Sequence, residues 1–313
     1  MSHILQILIL HLTFVFTQTA QVICNSKTVL MKGDAHCLDS DYVLDFEDDF
    51  NGNSIDSSKW EVMTGELRDL DHSIAQQWYN PKNVLVNNGT LKLIVTRDVL
   101  LNQCYNTYFN NGVQTVCEDF FFSAGQINSI RQFSHGIIEM SCKIPKARGV
   151  GSSFWMYGAP PGNELDIFEF ENEYDQFGKL EEYKLCRVQA MNTRVNFYNN
   201  KIVKDCASHY TGPDFSKEFH LFSIKWTPQK LEWYTDGELK RTIYLFYTLL
   251  GQPVDCKNLK DGELYSQNKA FPMIPMNIII DNIVQSNKKA PDNEVIFPVY
   301  YEIDYIRFYK QKL

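Results

Sequence analysis

No apolar run in this 313-residue chain approaches the roughly 20 residues that a membrane-spanning helix requires. Basic residues are also few, since 30 Lys and Arg stand against 38 Asp and Glu, for a net charge of -8. Phosphate binding needs a basic surface, so this balance argues against a nucleic-acid partner. The spacing Cys-x-x-Cys is absent as well, which argues against a zinc site.

The N-terminal apolar run, Ile4 to Phe16, is short and ends in the small polar stretch Thr17 to Ala20. This pattern resembles a signal peptide, although Lys and Arg are missing from its start; a core strand is the alternative. We expect a signal peptide over 1–20, an extension over 21–41 and one domain over 42–313. The mature protein would be secreted or extracellular (or periplasmic, or held at the cell surface), monomeric and free of the membrane.

Eight cysteines all lie beyond the expected cleavage point. An even number in an exported chain indicates disulfides. Cys104 and Cys117 bracket a polar loop and form the favoured pair, with Cys24 and Cys37 as a second pair. Cys142 is alternatively a buried free thiol.

Short β-rich segments separated by turns recur from Tyr42 to the end of the chain. Repeats, low-complexity tracts, flexible linkers and long amphipathic helices are not found in the sequence. This organisation predicts an all-β protein, a single β-sandwich of the jelly-roll type. The stretch from Asp98 to Phe122 interrupts the rhythm of strands and is expected to be a loop over one end.

One segment combines acids with large apolar residues, namely Asn163 to Glu171. In a strand Glu164 and Asp166 share a face. Regular alternation would bury Glu169, whereas a one-residue bulge at Ile167-Phe168 brings Glu169 to the same face and returns Phe170 to the core. Three aligned carboxyl groups suit glycoside hydrolysis, which needs a nucleophile and a proton donor. Taken alone, the triplet fits a solvated strand face better than a catalytic site.

The wider sequence resembles glycoside hydrolase family 16. The resemblance rests on the E-x-D-x-x-E pattern of Glu164 to Glu169 and on further motifs in the family's order. These are Asp48 to Gly52 with Lys59-Trp60, Ala124 to Ser129, Gly136 to Pro145, Phe154 to Met156, Phe219-His220 with Trp226, Asp236-Gly237, and Ile303 to Tyr309. Together they cover residues 42–313 and imply a jelly-roll catalytic domain with a concave substrate cleft.

The resemblance implies a role for each acid. Glu164 would be the nucleophile, Glu169 the acid/base, and Asp166 an assisting residue that hydrogen-bonds the nucleophile. The mechanism would retain the anomeric configuration, with the carboxyl groups of the two glutamates about 5 Å apart.

Binding residues are implied as well. Trp155, Trp78 and Tyr79 are candidate platforms for sugar rings, since aromatic faces stack on apolar sugar faces, and Asn128 is a candidate polar contact. For Trp78 and Trp155 a place in the core is the alternative. The chemistry requires no cofactor, and many family members bind a structural calcium, here through Asp304 and Glu47 with a backbone carbonyl. The alternative there is a capped acidic turn.

Several positions depart from the family pattern. Gly151-Ser152-Ser153 replaces a stretch that begins with Trp in laminarinases, Gln126 and Ser141 replace arginines, and Asn196 stands where a histidine is often found. These changes leave the sugar open. We expect a secreted, endo-acting β-glycanase on a β-1,3- or β-1,3(4)-glucan. The alternatives are an agarose-, porphyran- or carrageenan-type galactan hydrolase, a transglycosylase, or a non-catalytic glucan-binding protein.

Overall fold

Twenty strands form most of the part of the chain that the structure describes. The structure is a computed structural model that describes residues 41–65, 75–109, 112–159, 162–172, 185–196, 202–254, 258–260, 263–286 and 289–312. The expected signal peptide, nearly all of the 21–41 extension and the predicted Cys24–Cys37 pair lie outside the described residues.

The strands are β1 (Tyr42–Asp48), β2 (Trp60–Val62), β3 (Trp78–Tyr79), β4 (Val84–Asn87), β5 (Thr90–Phe109), β6 (Gly112–Ala124), β7 (Gln126–Phe133), β8 (Gly136–Lys143), β9 (Val150–Gly158), β10 (Asn163–Phe170), β11 (Val188–Asn196), β12 (Ile202–Thr211), β13 (His220–Trp226), β14 (Lys230–Thr235), β15 (Glu238–Tyr244), β16 (Phe246–Thr248), β17 (Pro253–Val254), β18 (Tyr265–Gln267), β19 (Met276–Val284) and β20 (Val299–Gln311). A 3-10 helix covers Pro81–Asn83.

Two large sheets pack face to face, which confirms the predicted sandwich. A ten-stranded sheet runs β15-β14-β13-β8-β20-β5-β6-β3, with β1 paired to β20 and β4 to β5. A seven-stranded sheet runs β12-β11-β10-β9-β19-β7-β2, and β17-β16-β18 form a small third sheet. In the described part of the chain, no helix is long and apolar enough to cross a membrane.

The core between the sheets follows from alternation along the strands. On β8, Ile138, Met140 and Cys142 are fully buried in the main apolar cluster, as their spacing predicts. On β9, Phe154 and Met156 are buried in the same cluster, so Trp155 and Tyr157, which alternate with them, point to the outer face of the seven-stranded sheet.

The stretch from Asp98 to Phe122 is not a loop, and that prediction was wrong. β5 and β6 form one long hairpin that pairs Arg97 with Phe122 and continues outward to the pairing of Phe109 with Gly112. Little of the protein covers its outer part, so polar residues are tolerated there. This polar composition gives no alternating pattern from which the strands could be predicted. Cys104 and Cys117 face each other across the hairpin and form the predicted disulfide.

Two further cysteines, Cys142 and Cys186, are free and buried, which confirms the alternative reading of Cys142. Burial raises the pKa of the Cys186 thiol to about 12. A thiol held in its protonated form is a poor nucleophile, so Cys186 serves as a packing residue.

Asp45 on β1 ties the two sheets together at one edge. Its carboxylate accepts hydrogen bonds from Lys310 on β20 and from Arg131 on β7. The Arg131 guanidinium also lies over the rings of Phe133 and Phe308, 4.9 and 5.7 Å from their centroids. These hydrogen bonds, from Lys310 first and then Arg131, hold the pKa of the Asp45 carboxyl below its ordinary value of 3.8.

Replacing Asp45 with Asn should therefore lower the free energy of unfolding by about 1 kcal/mol at neutral pH. Because the folded-state pKa is lowered, the carboxylate stabilises the protein fully above its unfolded-state pKa. That contribution is lost as the pH falls through the lower, folded-state pKa. Urea unfolding between pH 7 and pH 2 should show the difference between Asp45→Asn and wild type shrinking in acid. A gap between the two proteins that is independent of pH would contradict the prediction.

Candidate active site

Strand β10 carries the three acids on the outer face of the seven-stranded sheet, here called the acid-bearing face. Leu165, Ile167, Phe168 and Phe170 are buried in the core cluster, so the acids lie on the opposite side. Glu164 and Glu169 are half-buried, and Asp166 between them is 4% exposed. The sequence thus builds a row of carboxyl groups over an apolar floor.

A bulge brings Glu169 into this row. Against β9, the register passes from Asp166↔Trp155 to Phe168↔Phe154, which leaves Ile167 as the extra residue. Against β11, it passes from Asp166↔Asn192 to Glu169↔Ala190. The side chains after the bulge therefore change faces. The predicted bulge is confirmed at the predicted place.

Strand β9 lines the same face beside the acids. Tyr157 lies opposite Glu164, Trp155 opposite Asp166, and Ser153 opposite Glu169. Trp155 is half-buried, and its ring centroid lies 6.2 Å from that of Tyr157. The structure thus places Trp155 at the acids, as predicted. The structure also places Tyr157 there. The sequence analysis missed Tyr157, although it follows Trp155 by two residues and so lies on the same face of the strand.

Strand β11 supplies two polar partners that the sequence analysis also missed. The Asn192 side-chain amide donates a hydrogen bond to Oε2 of Glu169 over 3.1 Å. Arg194 is paired with Glu164, and its guanidinium lies 3.9 Å from Oε2 of Glu164. Asn196, the position compared with the family's histidine, lies at the end of β11 and pairs with Ile202. Asn192 is instead the residue that reaches the acid.

Asn128 also lies on the acid-bearing face, on β7, but at some distance from the acids. It pairs with Ile279 of β19, which pairs with Trp155 of β9. Asn128 is thus three strands from β10, roughly 14 Å at the usual spacing of strands. Gln126 donates a hydrogen bond to its side-chain oxygen over 2.9 Å.

The other two predicted platforms differ in burial. Tyr79 is fully buried, and its hydroxyl lies 3.1 Å from Oδ2 of Asp281 and 3.2 Å from the Asn282 carbonyl. The prediction for Tyr79 is therefore corrected, because its ring has no face left for a sugar. Trp78 is half-buried against Phe120, with ring centroids 5.1 Å apart, and its role in binding stays a prediction.

The implied calcium ligands lie apart from the acids and have partners within the protein. The Arg307 guanidinium donates to Glu47 over 2.8 Å, and Ser141 donates to Asp304 over 3.3 Å. Among the described residues, no three His, Cys, Asp or Glu side chains are grouped so that they could hold a metal ion. Since Arg307 already balances Glu47, these side chains do not form a ready calcium site, and the calcium stays a prediction.

The geometry of the three acids suits acid–base and nucleophilic chemistry at one sugar linkage. Two carboxyl groups on one face can flank the same glycosidic bond. A third acid between them raises the local negative charge. Asn192 can orient one of these carboxyl groups, and Arg194 places a positive charge beside another.

Comparison with known proteins gives a family match over most of the chain. The model for glycosyl hydrolases family 16 matches residues 72–307. A glucan endo-1,3-beta-glucosidase A1 of Niallia circulans is 23% identical over 290 residues, which are 86% of this chain and 38% of that protein. A glucan endo-1,3-beta-glucosidase of Cryptopygus antarcticus is 24% identical over 230 residues, 72% of this chain and 74% of that protein. The chain thus spans well under half the length of the first of these relatives.

A solved structure resembles the fold as well. The catalytic domain of an endo-1,3-beta-glucanase (laminarinase) from Thermotoga petrophila superposes with a TM-score of 0.61 and 22% identity. The match covers 87% of this chain and 99% of that one. At this identity the likeness establishes the fold alone.

The position of Tyr79 leads to a test. Tyr79→Phe removes a hydroxyl that hydrogen-bonds a fully buried carboxylate, and should lower the free energy of unfolding by about 1–3 kcal/mol. Urea denaturation measures the change, with Tyr300→Phe as the control because the Tyr300 ring is 43% exposed. Equal stabilities of the two variants would mean that the buried hydroxyl contributes nothing.

Proposed function

Because the chain belongs to glycosyl hydrolases family 16, we propose that it is a retaining glycoside hydrolase that cleaves β-linked polysaccharide within the polymer chain. The proposed substrate is a β-1,3- or β-1,3(4)-glucan. The two relatives named above are glucan endo-1,3-beta-glucosidases, which supports the β-1,3-linked polymer. One observation carries the proposal: Glu164, Asp166 and Glu169 share a face through the bulge of β10. A shared face also argues against a purely binding role. The apolar N-terminal segment supports export from the cell.

The mechanism assigns one task to each acid. Glu164 attacks the anomeric carbon while Glu169 protonates the leaving oxygen, which gives a covalent glycosyl-enzyme intermediate. Glu169 then removes a proton from the incoming water, and the second displacement restores the β configuration. Asp166, which lies between the two glutamates on β10, hydrogen-bonds the nucleophile.

The residues around the acids prepare this chemistry. Asn192 donates to Glu169 and so orients its carboxyl group toward the bond. Trp155 and Tyr157 lie beside the acids, where their rings can stack on the apolar faces of sugars. The polymer then lies across the strands, along the row of paired residues that runs from Tyr157 on β9 through Glu164 on β10 to Arg194 on β11.

Glu164→Gln should lower kcat by at least about a thousandfold, because the amide cannot attack the anomeric carbon. Reducing ends released from laminarin, mixed-linkage glucan, agarose and carrageenan measure activity, and product length separates internal from terminal cleavage. Glu171→Gln is the control, since Glu171 is exposed just beyond β10. Wild-type rates for Glu164→Gln would remove the assignment, and transfer to an added acceptor sugar would identify a transglycosylase.

Azide can separate the roles of the two glutamates. Azide added to Glu164→Gly should give the α-glycosyl azide, because it attacks from the side that the nucleophile has left. With Glu169→Ala and an aryl glycoside, whose leaving group needs no proton, azide should intercept the intermediate and give the β-glycosyl azide. The reverse pair of anomers would exchange the two roles.

A second candidate substrate is an anionic galactan of the porphyran or carrageenan type. Arg194 and Lys204 lie side by side on β11 and β12, in the same row as Glu164. Like charges opposite one another cost stability, and the chain as a whole is acidic. A sulfate or carboxylate on the sugar next to the cleavage point would neutralise this pair.

Lys204→Gln distinguishes the two substrates. If the galactan is the substrate, this variant should lose about tenfold in kcat/KM on a sulfated galactan, and added salt should shrink the loss because it screens the charge. Activity on laminarin should not change. Lys217→Gln, an exposed lysine outside the sheets, is the control. Equal kcat/KM values for Lys204→Gln and wild type on every sulfated polymer would eliminate the anionic substrate.

A further inference from the structure

Two buried side chains donate hydrogen bonds to backbone carbonyls at the bulge of β10. The indole N–H of Trp233 donates to the carbonyl of Asp166 over 2.8 Å. The side-chain amide of Gln189 donates to the carbonyl of Ile167 over 3.2 Å. Asp166 and Ile167 are the residues at which the register against β9 shifts. Both donors thus meet the irregular part of the strand.

The donors belong to a polar network that joins the two sheets. Trp233 and Thr235 alternate along β14 of the ten-stranded sheet and face inward, and Gln189 is on β11 beside β10. The hydroxyl of Thr235 donates to the side-chain oxygen of Gln189 over 2.8 Å. All three side chains are at most 2% exposed, so their bonds do not compete with water.

Arg241 fixes the Trp233 ring from the other side. Its guanidinium lies over the ring, 4.9 Å from the centroid, and it donates hydrogen bonds to the Met191 carbonyl on β11 and to Asp205 on β12. The indole therefore has one orientation, in which its N–H points at β10.

This network favours one register of β10 over another. Without the bulge, regular alternation would turn Phe168 to the acid-bearing face and Glu169 into the core. A bulge leaves backbone groups without ladder partners, and a buried carbonyl without a donor is unfavourable. Trp233 and Gln189 provide these donors at the place where the strand must deviate.

We propose that Trp233 and Gln189 are positioning residues of the active site. Glu164 precedes the bulge along β10, and Glu169 follows it. By holding the bulge from inside the sandwich, Trp233 and Gln189 therefore set the position of Glu169 relative to Glu164. This inference rests on the proposed function of the two glutamates. Neither residue touches the substrate, because both are buried between the sheets.

Trp233→Phe tests the inference because it keeps an aromatic ring and removes the N–H. The chain offers a matched control in Trp226 on β13, which is 1% exposed and whose N–H has no acceptor in the described part of the protein. Trp233→Phe should lower kcat by about 10- to 100-fold, since small misplacements of reacting groups are costly, with KM within about twofold. Trp226→Phe should stay within about twofold of wild type in both constants.

The split between kcat and KM separates a positioning role from a loss of substrate binding. If Trp233 acts through the placement of Glu169, Trp233→Phe lowers kcat and leaves KM in place, whereas Trp226→Phe changes neither. Equal kcat values for the two variants would overturn the proposal.

Thr235 gives a milder route to the same network if Trp233→Phe does not fold. Thr235→Val removes the donor that holds Gln189 and should lower kcat about fivefold to tenfold, whereas Thr235→Ser keeps the hydroxyl and should restore it. Failure of Ser to restore what Val removes would count against the network.

Hydrogen exchange of the peptide that contains β10 separates this inference from the proposed function. Amides of 166–170 should exchange at least about tenfold faster in Trp233→Phe than in Trp226→Phe, whatever the substrate. A wild-type protein inactive on every β-linked polymer would refute the function while this readout still tested the bulge. Equal exchange in the two variants would refute the positioning role alone.

Discussion

The phase of one strand determines what this protein can do. A strand sends its side chains alternately to its two faces, so a regular β10 would present Glu164, Asp166 and Phe168 outward. The bulge at Ile167 reverses the phase after Asp166 and brings Glu169 out while Phe168 and Phe170 stay in the core. The neighbouring strands then supply Trp155, Tyr157 and Asn192 in fixed register. Tyr157 and Trp155 pair with residues before the bulge, whereas the hydrogen bond from Asn192 to Glu169 depends on the one added residue.

A bulge inside a two-layer protein has to be stabilised by its interior. The main cluster between the sheets is almost entirely apolar, and an apolar interior offers the irregular backbone no hydrogen bonds. Trp233, Gln189 and Thr235 are the polar exceptions placed at β10. Trp226, equally buried, faces no such irregularity, and its N–H has no acceptor in the described part. Two tryptophans of similar burial therefore differ in what they contribute.

The bulge and the sandwich could be predicted from the sequence because both follow from short-range patterns. Acids and apolar residues in β10 change phase at one point, and strands such as β8 alternate clearly. The turn between β4 and β5 also follows from a short-range pattern, since Asn88 and Gly89 take positive φ angles of 52° and 71° that these residue types tolerate. The hairpin of β5 and β6 was missed because its outer part packs against little and shows no apolar periodicity.

Contacts between strands distant in the sequence were beyond such patterns. The hydrogen bond from Asn192 to Glu169 depends on the register of β11, and the contact of Tyr79 with Asp281 joins residues 202 positions apart. Nothing near Trp233 in the sequence shows that its N–H meets Asp166. These contacts exist only once the sheets have been stacked.

The order of strands in the seven-stranded sheet determines which strands a polymer lying across it would contact. Neighbouring strands lie about 4.8 Å apart, which is close to the length of one sugar ring. Under the proposed function, a polysaccharide that crosses the sheet would meet a new strand about every ring. The edge strand β12 is two strands from β10, so its side chains would contact a sugar two positions away from the acids.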